Sequence, residues 1–580
     1  MNRALGETIL PGAALLVALA YAPSLASPFA EVKLAALVLA GALSAAAWLA
    51  GRSARAPLDR GIAAAGLAVL ATTALAAVLA APRDIGAPYA AAELVRLNAA
   101  AGVALGTALA VSAGRSGPLL QAIQVGAALV SVIGLGQHLQ LLPLPIPSFS
   151  VPGSTFGNRN VAAEAVAMAL PFGLSMLDPP GARGRWWARL VPALLGVEML
   201  YLAAARTRGA WLGGAAGLLV FLALRRPRLS RRVVVGGGLV LALALIGAAV
   251  PGRWTAHDAG DAKRFASGGQ VVREALNTSS PVARTRLGLW RRTWAMYRAH
   301  PLAGIGPGNF AVLFPRYAEP GAADDGVLSP GLAPRQAHDD LLERLAETGP
   351  LGLAALLALY AAAGAAAVRR ARRPPGARDP AGAAFAAGCA GAVAAFVGCG
   401  LTGFPMAMPA TLFLLAVALG GLAAADDLAD VSPRARPLRP LGTAGWVLGA
   451  ALVLAGALWC SRRLAASYFL ARGEGALRAG DARRALAELD RAGRLAPGDF
   501  PAALAAATAA SRAGDPANAG ARAERALSIE PFSPNAWEAL ARARLDAGDA
   551  AGALAAAERA LDLLQAYPAA LETRAAAALR

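Results

Sequence analysis

The stretch that decides the fold runs from Gln336 to Gly349 and reads Gln-Ala-His-Asp-Asp-Leu-Leu-Glu-Arg-Leu-Ala-Glu-Thr-Gly. It closes a polar region, residues 251–337, that separates two long series of apolar segments. Only 16% of the 580 residues are charged, whereas soluble domains have about a quarter. This deficit predicts a membrane protein, in which the polar region forms a large loop at the water–lipid boundary.

Apolar runs long enough to cross a bilayer occur on both sides of this loop. A helix needs about 20 apolar residues to cross the hydrocarbon layer. We therefore predict an all-α, polytopic bundle of about 12–13 spans. The candidate spans are 8–26, 31–50, 61–81, 94–112, 118–137, 160–177, 187–204, 209–224, 233–250, 340–368, 382–402, 408–425 and 442–460. The predicted domains are residues 1–250, 251–337, 338–460 and a soluble C-terminal region, 466–580.

Arginine clusters predict the orientation of the bundle. Cytoplasmic loops carry an excess of Lys and Arg, and the clusters occur in alternate loops. These arginines are Arg52, Arg55, Arg60, Arg115, Arg183, Arg185, Arg189, Arg225, Arg226, Arg228, Arg231, Arg232, Arg369, Arg370, Arg372, Arg373, Arg378, Arg434, Arg436 and Arg439. The pattern places the N-terminus in the cytoplasm, and loop 251–337 and the C-terminal region outside. Because the cationic residues are dispersed, the net charge of +19 does not indicate nucleic-acid binding.

The N-terminus and the cysteines carry little functional signal. The first apolar run follows almost directly after Met1 without a convincing small-residue cleavage site, so we expect it to remain as an anchor. Cys389, Cys399 and Cys460 fall within predicted spans, and we expect small core residues and no disulfide framework.

A repeat of 34 residues predicts a helical solenoid at the C-terminus. The tripeptide Ala-Gly-Asp occurs at 479–481, 513–515 and 547–549, and buried-type alanines keep the same interval. This period is typical of the tetratricopeptide repeat, a helix–turn–helix unit. Stacked units form a concave surface suited to a protein partner. A stabilising cap or spacer is the alternative interpretation.

Polar residues on the predicted outer side carry the functional signal. Asn158, Arg159 and Asn160 lie in one loop, where Asn160 could instead serve as a helix N-cap. Arg206 and Arg208 lie in the next outer loop, against the trend of the positive-inside rule. Arginines at a membrane rim usually mark a functional site, although snorkelling towards headgroup phosphates would also account for them.

The large outer loop contains a helical segment with further arginines and ends at a histidine. Arg284, Arg286 and Arg291 lie in the predicted helix, whose aromatic stripe is more typical of packing than of a cofactor site. The following Gly-rich segment, 304–310, lacks the Gly-Lys-Ser/Thr ending of a phosphate loop and is interpreted as a tight turn. We expect His338 to open a descending helix, whose N-terminus would keep the imidazole neutral and able to accept a proton.

These motifs together resemble the O-antigen ligase and O-antigen polymerase superfamily of bacterial membrane glycosyltransferases. The matching pieces are Phe156-Gly-Asn-Arg-Asn160, Thr207-Arg-Gly-Ala210, Arg286 with Trp290, Pro301–Phe310, Ala337-His338 and Glu347-Thr-Gly349. The resemblance covers about residues 1–430 and departs mildly from the common pattern at Thr207 and Asp339, where Ser and Asn are frequent.

The resemblance implies a C-type glycosyltransferase-like fold in a bacterial inner membrane, with the outer loop and the repeats in the periplasm. It also implies transfer of a glycan from undecaprenyl pyrophosphate to an acceptor hydroxyl, with inversion and without a cofactor or metal. His338 would be the general base, while Arg208 and Arg286 would bind the pyrophosphate. Substrate-binding candidates of second rank are Asn158, Arg159, Asn160, Arg206, Arg284 and Arg291.

Several functional alternatives stay open at the level of sequence. The acceptor could be lipid A core, another lipid-linked glycan, as in a polymerase, or a protein hydroxyl. A transporter or flippase would need polar residues distributed through its spans, whereas the charges here concentrate near the outer rim. A non-catalytic scaffold would not need so many spans to anchor the repeats.

Overall fold

The apolar segments form helices that pack into one bundle. A computed structural model describes residues 4–50, 58–80, 87–141, 146–177, 185–225, 281–317, 334–372, 380–424 and 442–580. Within these ranges the chain is helical, and its extended contacts are two isolated bridges. The all-α prediction is therefore confirmed.

Twelve of the thirteen predicted spans lie on helices, and the remaining one, 233–250, lies outside the described residues. Nine of the described helices are long and apolar enough to cross a membrane. The helices on which predicted spans lie are α1 (Leu5–Leu19), α2 (Ala30–Ala50), α3 (Arg60–Leu79), α4 (Ala87–Ser112), α5 (Gly117–His138), α6 (Arg159–Leu177), α7 (Arg185–Ala205) and α8 (Arg208–Arg225) before the large loop, and α10 (Asp340–Ala371), α11 (Pro380–Gly400), α12 (Pro409–Ala423) and α13 (Thr443–Arg478) after it. Between the two series lies the polar helix α9 (Pro281–Ala299).

Glycines bring α8 and α11 into backbone contact. A Cβ atom on Gly213 would lie 2.5 Å from the carbonyl oxygen of Ala395, and one on Gly217 would lie 2.7 Å from that of Gly391. Helices in membranes associate through such close packing of small residues. This contact fixes the start of α8, where Arg208 lies, against the end of α11.

A kink divides α10 and creates a seat for the glycine-rich loop. Gly349 has φ 66° and ψ −174°, which interrupts the helix one residue before Pro350. The interruption exposes backbone carbonyls, and Ile305 and Gly306 donate N–H bonds to Ala346 and Glu347 at 2.9 Å. The loop is thus held on the descending helix, in agreement with the tight turn predicted from its glycines.

The C-terminal region folds as the predicted helical repeats. Its helices after α13 are α14 (Ala482–Leu495), α15 (Phe500–Arg512), α16 (Pro516–Ile529), α17 (Pro534–Asp546), α18 (Ala550–Leu563) and α19 (Pro568–Ala578). At each Ala-Gly-Asp turn the glycine has a positive φ and the aspartate caps the next helix. The alanines that keep the 34-residue interval are buried at the helix contacts. The repeat period therefore reports a real structural unit.

The repeats contact the same end of the bundle as the large loop. Tyr89, in α4, donates its hydroxyl proton to Glu530 at 2.5 Å, and Arg316 stacks over the Phe532 ring at 5.4 Å. Within α13 itself, Arg463 forms a two-bond ion pair with Glu31 of α2. The repeats are thus seated on the rim of the bundle.

Candidate active site

Residues on or beside three helices, α8, α9 and α10, meet at this rim and bring the predicted catalytic residues into one neighbourhood. Arg208 begins α8, Arg286 lies in α9, and His338 lies two residues before the start of α10. Electrostatic interaction links Arg286 to both Arg208 and His338. The three groups come from sequence positions far apart, so their meeting is a property of the fold.

His338 is held as a neutral imidazole in a partly apolar setting. Its ring meets the Phe404 ring edge-on, with 4.8 Å between centroids and 84° between planes. Burial, and secondly the nearby Arg286 cation, lower the pKa of His338 to about 4. A neutral imidazole can accept a proton. The helix predicted to begin at His338 begins instead at Asp340, because Asp339 caps it by accepting the N–H groups of Leu341 and Leu342 at 3.0 Å.

Arg286 is a half-buried cation without a partner. It forms no hydrogen bond or ion pair with any residue that the structure describes. Burial and the neighbouring Arg208 lower the pKa of Arg286, and the Glu164 carboxylate partly opposes this effect. Placing two guanidinium groups together out of bulk water costs free energy, which a bound anion would offset. The arrangement therefore favours a ligand with negative charge.

The predicted outer loops join through amide side chains. Asn158 accepts the backbone N–H of Asn160 at 2.9 Å, so Asn158 rather than Asn160 caps the start of α6. Asn160 instead accepts the Thr207 hydroxyl proton at 3.1 Å, which ties the start of α6 to the residue before Arg208. Asn160 thereby fixes the position of Arg208 relative to α6.

Arg159 and Arg206 form a second pair of cations at the rim. Arg206 adopts φ 52°, and burial together with the nearby Arg159 lowers the pKa of its guanidinium. A non-glycine residue in this backbone region is uncommon and held by its surroundings. The pair extends the positive region beyond Arg208.

The two remaining arginines of α9 are placed apart from this group. Arg284 and Arg291 are exposed, whereas Arg286 is half-buried. Helical spacing of 3.6 residues per turn puts both on the face opposite Arg286. The family resemblance ranked Arg286 above the other two arginines, whereas the aromatic stripe of α9 does not state which face of the helix meets the bundle.

Two buried carboxyl groups lie beneath the cations, and sequence reasoning missed the first of them, Glu164. Glu164, on α6, is 2% exposed, and Asp340, at the start of α10, is 7% exposed. Glu164 Oε2 has no hydrogen-bond partner within the described part of the chain. Asp340 accepts the N–H of Met406 at 3.0 Å and so anchors the turn that carries Phe404. An ionisable residue inside an apolar run is a functional signal in itself, and Glu164 could have been found by that criterion.

No metal site accompanies these groups in the described ranges. There, no three His, Cys, Asp or Glu side chains lie together as metal ligands. The three cysteines, all described, are buried thiols that form no disulfide bond. Independence from metal stays a prediction from the resemblance.

The fold and the rim site define a polytopic membrane protein with a cationic site that contains a histidine. Residues 192–357 match the family model described as O-Antigen ligase. This matched segment contains Arg206, Arg208, Arg286 and His338. The family supports a membrane glycosyltransferase of ligase or polymerase type. No curated protein matches the chain.

Solved structures give only weak likenesses. The first tetratricopeptide domain of human RPAP3 is 17% identical, with a TM-score of 0.20, and covers 20% of this chain and 91% of that chain. The APC/C hetero-tetramer Cut9-Hcn1 is 11% identical, with a TM-score of 0.20, over 85% and 92% of the two chains. Yeast Tom70 is 12% identical, with a TM-score of 0.19, over 88% and 95%. These scores carry no argument, and the repeat assignment rests on the helix pairs themselves.

Proposed function

We propose that the protein transfers a glycan from undecaprenyl pyrophosphate to an acceptor hydroxyl at the periplasmic face of a bacterial inner membrane. The observation that carries the proposal is the half-buried Arg286, which pairs with no residue of the described ranges and lies beside Arg208 and the neutral His338. A pyrophosphate is the kind of anion that two guanidinium groups bind well. The family match supports a lipid-linked glycan as the donor.

The reaction needs one proton transfer and one displacement. The neutral imidazole of His338 removes the proton from the acceptor hydroxyl as the oxygen attacks the anomeric carbon. The bond from that carbon to the pyrophosphate oxygen breaks, and its electron pair stays on the pyrophosphate. Arg208 and Arg286 stabilise the charge that develops there. Attack opposite the leaving group inverts the anomeric carbon, and no metal takes part.

The residues contribute to this proposal to different degrees. Arg159 and Arg206 extend the anion site, and Asn158 and Asn160 order the loop on which it depends. Arg284 and Arg291 are left out of the proposed site, because they are exposed on the other face of α9. The repeats would bind a protein acceptor or partner, since they are seated at the same rim.

The decisive experiment uses purified protein with a defined undecaprenyl-pyrophosphate oligosaccharide and acceptors of three kinds: lipid A core, a second lipid-linked glycan, and a protein rich in Ser and Thr. Arg208→Ala and Arg286→Ala should each lower the transfer rate about 10²–10³-fold. His338→Ala should lower it about 10²–10⁴-fold. Arg298→Ala, an exposed arginine of the same helix as Arg286, is the matched control and should retain the wild-type rate.

The product identifies the reaction within this class. Mass analysis distinguishes a ligase, a polymerase and a protein O-oligosaccharyltransferase by the molecule that gains the glycan. Transfer that persists at the wild-type rate in the His338→Ala protein would reject the general-base role. Movement of the lipid-linked glycan across vesicles without any transfer would favour the flippase alternative.

A further inference from the structure

His338 adopts a backbone conformation that its own residue type does not favour. Its φ is 56°, in the left-handed region, where side chains with a Cβ atom are strained. Such strain persists only where the surroundings enforce it. The contacts that enforce it therefore decide where the imidazole points.

The backbone N–H and C=O of the preceding residue, Ala337, are both hydrogen-bonded to side chains. Ala337 is fully buried and donates its N–H to Glu343 Oε2 at 2.6 Å. The carbonyl oxygen of Ala337 accepts the indole N–H of Trp290 at 3.1 Å. A buried backbone N–H or carbonyl needs a partner, and here both partners are side chains. Glu343 lies in the first turn of α10, and Trp290 lies one helical turn after Arg286 in α9.

These two hydrogen bonds hold His338 in a fixed position relative to Arg286. Trp290 and Arg286 share α9, so the bond to Ala337 fixes the distance between the cation and the imidazole. Glu343 reaches back from α10 and ties the residue before His338 to the helix that follows it. On the other side, the turn that Asp340 anchors presses the Phe404 ring against the imidazole edge.

We propose that Glu343 and Trp290 are positioning residues that hold the two peptide groups of Ala337 and so aim the imidazole of His338 at the acceptor hydroxyl. The inference rests on the proposed function of His338 as the general base. Glu343 acts here as a hydrogen-bond acceptor and Trp290 as a donor. Neither touches the reacting atoms.

Paired substitutions separate the hydrogen bonds from other properties of these side chains. Glu343→Gln keeps an oxygen that can accept the Ala337 N–H, whereas Glu343→Leu does not. Trp290→Phe removes the indole N–H and keeps an aromatic ring. Trp294→Phe, on the exposed side of the same helix, is the matched control, because Trp294 is 47% exposed and makes no bond to Ala337.

The kinetic result follows from the loss of alignment. Glu343→Leu and Trp290→Phe should lower kcat about 10²-fold, the size of effect that misplacement by about 1 Å produces. The donor KM should change less than about threefold, because the arginines that bind the donor stay in place. Glu343→Gln should recover most of the rate, and Trp294→Phe should match the wild type. An equal loss in Glu343→Gln and Glu343→Leu, or full activity in Trp290→Phe, would overturn the proposal.

A second readout does not depend on turnover. In a protein whose other histidines are replaced by glutamine, diethyl pyrocarbonate modifies only the neutral imidazole of His338. The pH midpoint of this reaction should move upward in Glu343→Leu and Trp290→Phe, since the released imidazole leaves its buried position beside Arg286. An unchanged midpoint would reject the positioning role. If the wild type transfers no glycan, the proposed function fails, while this measurement still decides whether the two side chains hold His338. A wild-type melting temperature in each variant excludes simple unfolding.

Discussion

The ionisation of His338 sets the expected pH dependence of transfer. Burial and Arg286 lower its pKa to about 4, so the base is neutral at any higher pH. The value of kcat/KM for the donor reports the free enzyme. It should therefore be flat at neutral pH and fall with a midpoint of about 4. Measurement of initial rates between acid and neutral pH checks this, and a midpoint at the ordinary histidine value would contradict it.

The bound donor should shift that midpoint in a known direction. A pyrophosphate beside His338 favours the imidazolium, because an opposite charge stabilises the charged form. The midpoint of kcat, which reports the complex, should thus lie above that of kcat/KM. Equal midpoints would mean that the pyrophosphate binds away from the imidazole. The control is the same pair of profiles for Arg298→Ala.

The same histidine gives the folded state a pH-dependent stability. Its pKa is lower in the folded chain than in the unfolded chain, so the unfolded state binds more protons between about pH 4 and the ordinary value near 6.5. Stability from this group is complete above that window and is lost as the pH falls through it. Replacing His338 with glutamine should flatten the melting temperature across this range.

At the residue scale, sequence could predict which side chains matter better than what surrounds them. The position of His338, Arg208 and Arg286 at a membrane rim, together with the family resemblance, predicts their importance, and the fold brings the three together. The predicted cause of the low proton affinity, a helix N-terminus, is replaced by burial and a neighbouring cation. That environment depends on contacts between distant helices, which no local pattern records. Glu164 carries a sequence signal of its own, because it is an ionisable residue inside an apolar span.

At the element scale, the kink in α10 allows a sharp test of how the helix seats the glycine-rich loop. A Cβ atom on Gly349 would lie 2.2 Å from the carbonyl oxygen of Leu302, and its φ of 66° is already unfavourable for other residues. Gly349→Ala should therefore destabilise the fold by about 1–3 kcal/mol and lower transfer by displacing the loop.

Another glycine of α10 provides the matched control for this substitution. A Cβ atom on Gly364 would meet nothing within 4 Å. Gly364→Ala should be neutral or stabilise the helix by up to about 1 kcal/mol. Thermal unfolding of the two variants in the same detergent compares them directly. Equal melting temperatures of the two variants would contradict this prediction, because they would mean that the contact between the new Cβ atom and Leu302 does not destabilise the fold.

Sequence predicted the helices themselves, since apolar length and Gly-Asp turns are local signals. It placed their ends less well. The structure begins α4 at Ala87, seven residues before the predicted span, which brings the Glu93–Arg96 ion pair into the helix. It also continues α13 without a break between the predicted domain ends at residues 460 and 466. Nothing in that segment stops a helix, because it contains neither Gly nor Pro.

At the scale of the whole molecule, the stability of the repeats near Glu530 should depend on their contact with the bundle. Tyr89→Phe removes the bond to Glu530, and hydrogen bonds to charged groups contribute about 1.5–3 kcal/mol. We expect faster amide exchange at the end of α16, where Glu530 lies, with unchanged exchange in α18. Tyr468→Phe is the control, because Tyr468 lies on the exposed side of α13. Unchanged amide exchange in both variants would contradict the idea that the Tyr89–Glu530 contact holds the repeats on the bundle.

The orientation of the molecule can be tested by labelling. With the three native cysteines replaced by serine, Ala517→Cys in the repeats and Arg372→Cys at the other end are both exposed. A membrane-impermeant thiol reagent should label Ala517→Cys from the periplasm and Arg372→Cys only in inverted vesicles. The reverse pattern would refute the orientation predicted from the arginine clusters. Sequence predicts this orientation through charge alone, whereas the Arg463–Glu31 pair that seats the repeats carries no local signal.

Because α13 is uninterrupted, its length sets how the repeats are rotated about the helix axis relative to the bundle. Its 36 residues give a length of about 54 Å, of which about 30 Å crosses the hydrocarbon layer. The remaining helix is a rigid post for the repeats. One residue inserted into this part of α13 would rotate the solenoid by about 100° and break its contacts with the bundle. Seven inserted residues would restore nearly the original rotation and raise the solenoid by about 10 Å. The number of residues between the bilayer and the first Gly-Asp turn therefore sets both the height of the solenoid above the lipid and its rotation about the helix axis.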